Sequence, residues 1–268
     1  MEEFNSNIPY ILLGLIILVI VLYLKFSHSQ TSSYPQTSSY PQTSSYPRLI
    51  HQSYKTEKVE DPLWLECQKS WLTHNPSYDY KFWTDIDNEQ LIKDKDSKFL
   101  NDYLSYNHFI KRADAARYYY MYHYGGIYAD LDFKCLKSFD DILDTTYDVI
   151  LGRMGEDDSF VDSIPNALMI SKPKCDFWLY VISEMRQRVN ATKSPEYDTG
   201  PRLLKYCVDH YKGPSKIKVL PSRYLYPLNW NSDKGQTKRR NILHNNSLKT
   251  ELQEYHDAYA ITYWSHSW

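Results

Sequence analysis

Residues Arg112 to Phe133 read RADAARYYYMYHYGGIYADLDF. The spacing predicts a helix over 109–124 that stops at Gly125-Gly126, since glycine supplies the left-handed turn that ends helices. Residues 127–133 then read as a strand. Period-two alternation puts Ile127, Ala129, Leu131 and Phe133 on one face, and Tyr128, Asp130 and Asp132 on the other. Two carboxylates that close repel each other unless a cation lies beside them. They are hard oxygen ligands suited to Mg²⁺ or Mn²⁺. A metal held this way completes its shell with substrate phosphates and neutralises a leaving diphosphate. Asp114 and Arg117, three apart on the helix, share one side and flank a packing stripe of Ala113, Ala116, Tyr120 and Tyr124. That position makes them candidates for a pocket wall. Taken alone, an Asp-x-Asp at a strand end is ordinary solvated surface, and Asp114–Arg117 an ordinary helix ion pair.

Outward from this stretch, strands and helices alternate. Strands are expected at 49–54, 78–84, 147–151, 167–170, 216–220 and 259–263. Asp61-Pro62 reads as N-cap and first helical residue, with Trp64, Gln68, Trp71 and Leu72 at helical spacing until Asn75-Pro76. Further helices are expected over 177–189 and 202–211. Alternation of this kind means an α/β fold with a mostly parallel central sheet, whose ligands gather at strand carboxyl ends.

The chain has 268 residues, 31 basic and 33 acidic side chains and a net charge of −2. That balance gives no basic field, so a nucleic-acid partner is not expected. The four cysteines, Cys67, Cys135, Cys175 and Cys207, form no Cys-x-x-Cys pair and read as core thiols rather than a zinc site. Between Phe4 and Leu24 there is no charge, and Ile8 to Leu24 reads IPYILLGLIILVIVLYL, long enough to span a bilayer. Tyr10 and Tyr23 sit near its ends. Glu2 and Glu3 replace the basic start of a signal peptide, so an uncleaved single-pass helix is expected. Three tandem copies of QTSSYP follow, from Gln30 to Pro47. Their composition cannot build a core, so they read as an extended spacer. The expected organisation is a tail and anchor at 1–26, a spacer at 27–47 and a catalytic domain at 48–268. Lys25 and the acidic start point the domain to the cytoplasm by the positive-inside rule.

The stretch RADAARY…YGGIYADLD resembles the signature of glycosyltransferase family 32, whose members carry an Asp-x-Asp sugar-binding motif. YPRLIHQSYK, NPSYDYKFWTD, SIPNALMISKP, Thr199-Gly200-Pro201 and AYAITYWSHSW are similar to its other blocks, so the resemblance covers the whole globular part. It implies a GT-A type nucleotide-sugar-binding fold and retaining transfer of a hexose, with mannose among the candidates. The donor would be a UDP- or GDP-sugar, the cofactor Mn²⁺ or Mg²⁺, and the acceptor a glycan, glycoprotein or lipid hydroxyl. It implies that His51 and Gln52 lie by the nucleotide, Asp114 and Asn166 at the donor sugar, and Arg117 at sugar or diphosphate. Asp130 and Asp132 would hold the metal, with Asp132 the main ligand, and Ser267 and Trp268 would close the site. Relatives commonly carry histidine where Thr262 and Tyr263 stand, which leaves a C-terminal histidine contact unsupported. Such relatives are single-pass Golgi proteins with a lumenal domain, and this architecture is the expectation here, against the flanking charges. Two other classes compete. One is a membrane-anchored sugar- or nucleotide-binding protein without turnover. The other is a metal phosphatase or nuclease, which would want more carboxylate or histidine ligands.

Overall fold

A computed structural model describes residues 45–156, 159–229, 236–237 and 255–265. The apolar run at 8–24, most of the repeat, Ser267 and Trp268 lie outside these. Among the described residues no helix is long and apolar enough to cross a membrane.

The first strand, β1 (Leu49–Ser53), leads into α1 (Pro62–His74). Asp61 caps this helix, its carboxylate accepting from the Leu63 amide at 2.8 Å. Next come β2 (Asp79–Trp83), α2 (Asp85–Lys95), α3 (Leu100–Ser105) and α4 (Phe109–His123). The chain continues through β3 (Gly126–Ala129), β4 (Phe133–Cys135), β5 (Val149–Gly152) and β6 (Leu168–Ser171). After α5 (Asp176–Arg186), α6 (Pro195–Asp198) and α7 (Pro201–His210) come β7 (Ile217–Leu220), α8 (Ser222–Leu225) and β8 (Ala260–Thr262).

Six strands form one sheet in the order β2-β1-β3-β6-β5-β7, in which only β6 runs antiparallel to its neighbours. The α/β class with a mostly parallel sheet is therefore observed. Both faces are covered, and strand side chains alternate between two cores. Tyr128, Val149, Leu151 and Met169 join Tyr118, Trp178 and Leu204 of the α4–α5–α7 layer. Ile127, Ala129, Ile150, Leu168 and Ile170 join Trp71, Phe133 and Phe139 on the other side.

Two differences from the sequence reading matter. The strand expected over 127–133 is two strands. β3 ends at Ala129, the chain turns with the Phe133 amide bonded to the Asp130 carbonyl at 3.1 Å, and β4 pairs with β8 in a second small sheet. Asp130 and Asp132 thus sit on a turn between sheets and not on one strand face. The packed domain also begins before residue 48. Tyr46, from the last QTSSYP copy, is buried, and its hydroxyl donates to the Tyr147 carbonyl at 2.9 Å.

Gly126 is the residue that lets β3 lie against β1. Its φ is +87°, and a Cβ there would stand 2.3 Å from the Leu49 carbonyl oxygen. The chain leaves β1 toward β2 on one side and reaches β3 on the other. The crevice at the carboxyl ends of β1 and β3 is therefore a topological switch point, the usual ligand position in such sheets.

Candidate active site

Two cavities meet at the end of β3. The first, of about 460 Å³, opens over the switch point and is lined by Ser53, Tyr54, Asp85, Asn88, Phe109 and Ala113, among others. The second, of about 370 Å³, lies between α4, the segment before β6 and the α6–α7 turn, with Asp114, Asn166 and Trp264 in its wall. Ile110, Arg117, Asp130 and Asp132 line both. Both volumes are in the range of small-molecule sites.

The shared wall is built by α4 and the β3–β4 turn. Arg117 is buried and aims at Asp130, Nη1 to Oδ1 3.2 Å, and at Asp114, Nη2 to Oδ1 3.3 Å. Its Nη1 also donates to the Asn166 carbonyl at 3.1 Å, and its charged plane lies 4.6 Å over the Tyr128 ring. Burial opposes the Arg117 charge, but Asp130, Tyr128 and Asp114 outweigh it and raise the pKa. Arg117 is a fixed cation at the junction of the cavities.

The Asp130 backbone amide donates to the Ala167 carbonyl at 2.8 Å, which pins the turn to β6. Its Oδ1 accepts from the Tyr128 hydroxyl at 2.6 Å, and Oδ2 makes no hydrogen bond to a described residue. Burial pushes the Asp130 carboxyl up to about 6, opposed by Arg117 and reinforced by the Asp132 charge. Asp132 is gripped by the C-terminal segment. Its Oδ2 accepts from the Ser265 amide at 2.8 Å and the Ser265 hydroxyl at 3.1 Å. The Thr262 hydroxyl donates to its Oδ1 at 3.3 Å. Thr262, the departure from the resemblance noted in the sequence, therefore still addresses the acidic pair.

Asp114 is buried and satisfied on both oxygens. Asn166 Nδ2 donates to Oδ1 at 2.9 Å, and the Thr199 hydroxyl donates to Oδ2 at 2.9 Å. Burial raises its pKa against Arg117, Asn166 and Thr199. The segment carrying Thr199 is clamped to α4 by Lys111 and Asp198, both fully buried and 2.7 Å apart.

His51 and Gln52 do not line either cavity. His51 is wholly buried, with Nε2 donating to the Gly125 carbonyl at 2.9 Å and Nδ1 accepting from Trp83 Nε1 at 3.0 Å. Burial lowers its pKa to about 4. Gln52 accepts from Tyr80 and donates to the Asp130 carbonyl at 3.2 Å. Both act from behind the site: His51 fastens β1 to the glycine turn and Gln52 supports the Asp130 backbone. Direct reach into the first cavity belongs to Ser53 and Tyr54, the next residues along. Ser265 is the partner the sequence reading missed; the closing block had singled out Ser267 and Trp268 instead. All four cysteines are free and buried, as core thiols should be.

Among the described residues no three or more His, Cys, Asp or Glu side chains group as a metal site. The donor set still fits a hard cation. The Asp132 charge lies close enough to raise the Asp130 pKa, and Mg²⁺ or Mn²⁺ is commonly held by one or two carboxylates plus phosphate oxygens.

Residues 61–148, which run from α1 past the Asp130–Asp132 turn, match the family model for the glycosyltransferase sugar-binding region containing DXD motif. That segment is a DXD glycosyltransferase region, and the resemblance read from the sequence holds. Mannosyl phosphorylinositol ceramide synthase CSH1 of Saccharomyces cerevisiae is 32% identical over 169 residues, 62% of this chain and 43% of the relative. Inositol phosphoceramide mannosyltransferase 3 of Schizosaccharomyces pombe is 41% identical over 96 residues, 36% of this chain and 27% of the relative. The chain thus spans less than half the length of these relatives. Among solved structures, the PaToxG glycosyltransferase overlaps 81% of this chain and 77% of its own, with a TM-score of 0.46 and 11% identity.

Proposed function

We propose that residues 48–268 form a GT-A type, metal-dependent, retaining hexosyltransferase that moves a sugar from a nucleotide-sugar to a glycan, glycoprotein or glycolipid hydroxyl. One observation carries this reading: Arg117, Asp130 and Asp132 converge on the wall shared by two cavities. The nucleotide takes the cavity at the switch point, and the acceptor enters from the other. The reacting carbon sits at the junction. A relative named as a mannosyltransferase and one named as a mannosyl phosphorylinositol ceramide synthase support mannose as the sugar. Asp130 and Asp132 would hold Mn²⁺ or Mg²⁺, which when bound neutralises charge on the departing diphosphate. Arg117 adds a preorganised positive charge beside that position. The bond from the anomeric carbon to phosphate oxygen breaks, the acceptor oxygen bonds to the same face, and its proton passes to the leaving phosphate oxygen. Ser267 and Trp268 would close the site. Residues 8–24 anchor the chain, the repeat spaces it, and the domain faces a Golgi-type lumen.

The test is release of nucleoside diphosphate by the full chain in detergent, from a panel of UDP- and GDP-sugars, with Mn²⁺ or with EDTA. Release from one donor, lost with EDTA and in Asp132→Asn, is the expected result. A folded protein that binds nucleotide and Mn²⁺ but releases nothing from any donor is the binding protein without turnover.

A further inference from the structure

Two tripeptides carry a chemistry that the transferase reading leaves unused. Asn190-Ala191-Thr192 and Asn245-Asn246-Ser247 both follow the Asn-x-Ser/Thr acceptor pattern for N-linked glycans, with no proline in the middle. The second lies outside the described residues. We infer that Asn190 is an N-glycosylation site, modified while its segment is still unfolded. The inference rests on the lumenal placement of the domain proposed above, because the glycan donor, an oligosaccharide carried on a polyprenyl diphosphate, is displayed on that side.

Asn190 follows α5 in a turn, with a φ of +51° that asparagine tolerates better than other side chains. Asn190, Ala191 and Lys193 are exposed, and neither cavity has a wall residue from 187–193. The Asn190 amide ties the turn to the connection between α3 and α4. Its Oδ1 accepts from the Asn107 amide at 3.2 Å, and its Nδ2 donates to the Ser105 carbonyl at 2.9 Å and to the Ser105 hydroxyl at 3.3 Å. Nδ2 carries two hydrogens. Glycosylation replaces one and leaves the other for the Ser105 carbonyl, while Oδ1 keeps its role. The bond from Nδ2 to the anomeric carbon forms as the bond from that carbon to the diphosphate oxygen breaks. The lipid diphosphate departs and the amide releases one proton.

Thr192 sets the order of events. Its hydroxyl separates this tripeptide from any other containing asparagine, so it must be within reach when the site is read. In the fold that hydroxyl donates to Asp198 Oδ1 at 2.9 Å, and the Thr192 amide donates to the same oxygen at 3.2 Å. The Thr192 carbonyl accepts from Lys111 Nζ at 3.0 Å. Lys111 and Asp198 form the fully buried pair that clamps α6 to α4. Folding therefore sequesters the hydroxyl by which the site is recognised and leaves the modified amide outside. Attachment belongs to the period when the chain enters the lumen, before the clamp closes.

The experiment expresses the full chain in a eukaryotic host and compares its gel mobility before and after peptide N-glycosidase, in a pulse–chase. Asn245→Gln is the background, so that any glycan on it belongs to Asn190. Gln42→Asn, which makes an Asn-Thr-Ser acceptor in the spacer, is added to Asn190→Gln and Asn245→Gln as a separate report of lumenal exposure. The expected result is one glycosidase-sensitive step in Asn245→Gln, complete at the end of the pulse and lost when Asn190→Gln is added. The pulse scores each chain before degradation, so a variant that misfolds is still read. Modification of the spacer acceptor but not of Asn190 overturns the inference and leaves the lumenal placement standing. Modification of neither overturns both. Occupancy of Asn190 that rises through the chase overturns the order in which modification precedes folding.

Discussion

Asp132 takes its orientation from residues 130 and more positions away in the chain, Thr262 and Ser265. Asp132→Asn keeps most of that grip and removes the charge, so transfer should vanish while the thermal midpoint moves little; circular dichroism and nucleotide release check both. Thr199 acts one step back, through Asp114. Thr199→Val leaves one oxygen of a buried carboxylate unsatisfied, which costs about 1–3 kcal/mol. It should lower turnover more than donor affinity, and Thr199→Ser should restore the rate; steady-state kinetics separates the two. At this scale the sequence showed which residues gather but not what each touches. Helix spacing put Asp114 beside Arg117 and alternation put Asp130 near Asp132, while joining the two pairs into one site rested on the family resemblance. His51 was legible as part of a motif, yet its burial depends on Trp83 and Gly125, which no local pattern reveals.

The glycine pair between α4 and β3 is both a helix stop and a close approach. Gly126→Ala meets the Leu49 carbonyl and a left-handed φ at once. It should destabilise the domain by about 3 kcal/mol or more and unpair β1 from β3, read by denaturant titration. Lys111 and Asp198 hold the α6 segment to α4 by a direct, fully buried ion pair. Asp198→Asn strands a buried ammonium and should cost about 3–5 kcal/mol in the same titration. Elements with strong punctuation were legible: α1 from Asp61-Pro62, the end of α4 from Gly-Gly. The helix α2 was not. Its sequence DIDNEQLIKDK has a weak apolar stripe, although Thr84 and Asp87 form a capping box that marked its start. The break between β3 and β4 was hidden because Leu131 and Phe133 continue the alternation across a turn whose cause is pairing with β8, about 130 residues on.

Across the molecule, protonation acts in two directions. His51 and His123 are both held down at about 4, burial being the main cause in each. The unfolded chain binds these protons near pH 6.5 and the fold refuses them, so their contribution is full above pH 6.5 and fades as pH falls toward 4. For His51 the loss reaches about 3 kcal/mol. Asp130, raised to about 6, works the other way: the fold binds its proton first, so its effect favours the folded state as pH drops through 6. Denaturation midpoints between pH 7 and 4.5 should therefore fall less steeply in His123→Asn and more steeply in Asp130→Asn than in wild type. The buried Tyr46 has a different consequence. It comes from the third of three identical six-residue units, so loss or gain of one unit by replication slippage rebuilds Ser-Ser-Tyr-Pro-Arg at the same junction. Variants with two or four units should melt at the wild-type temperature. A change in the number of units therefore leaves the packed junction at Tyr46 with the same local sequence.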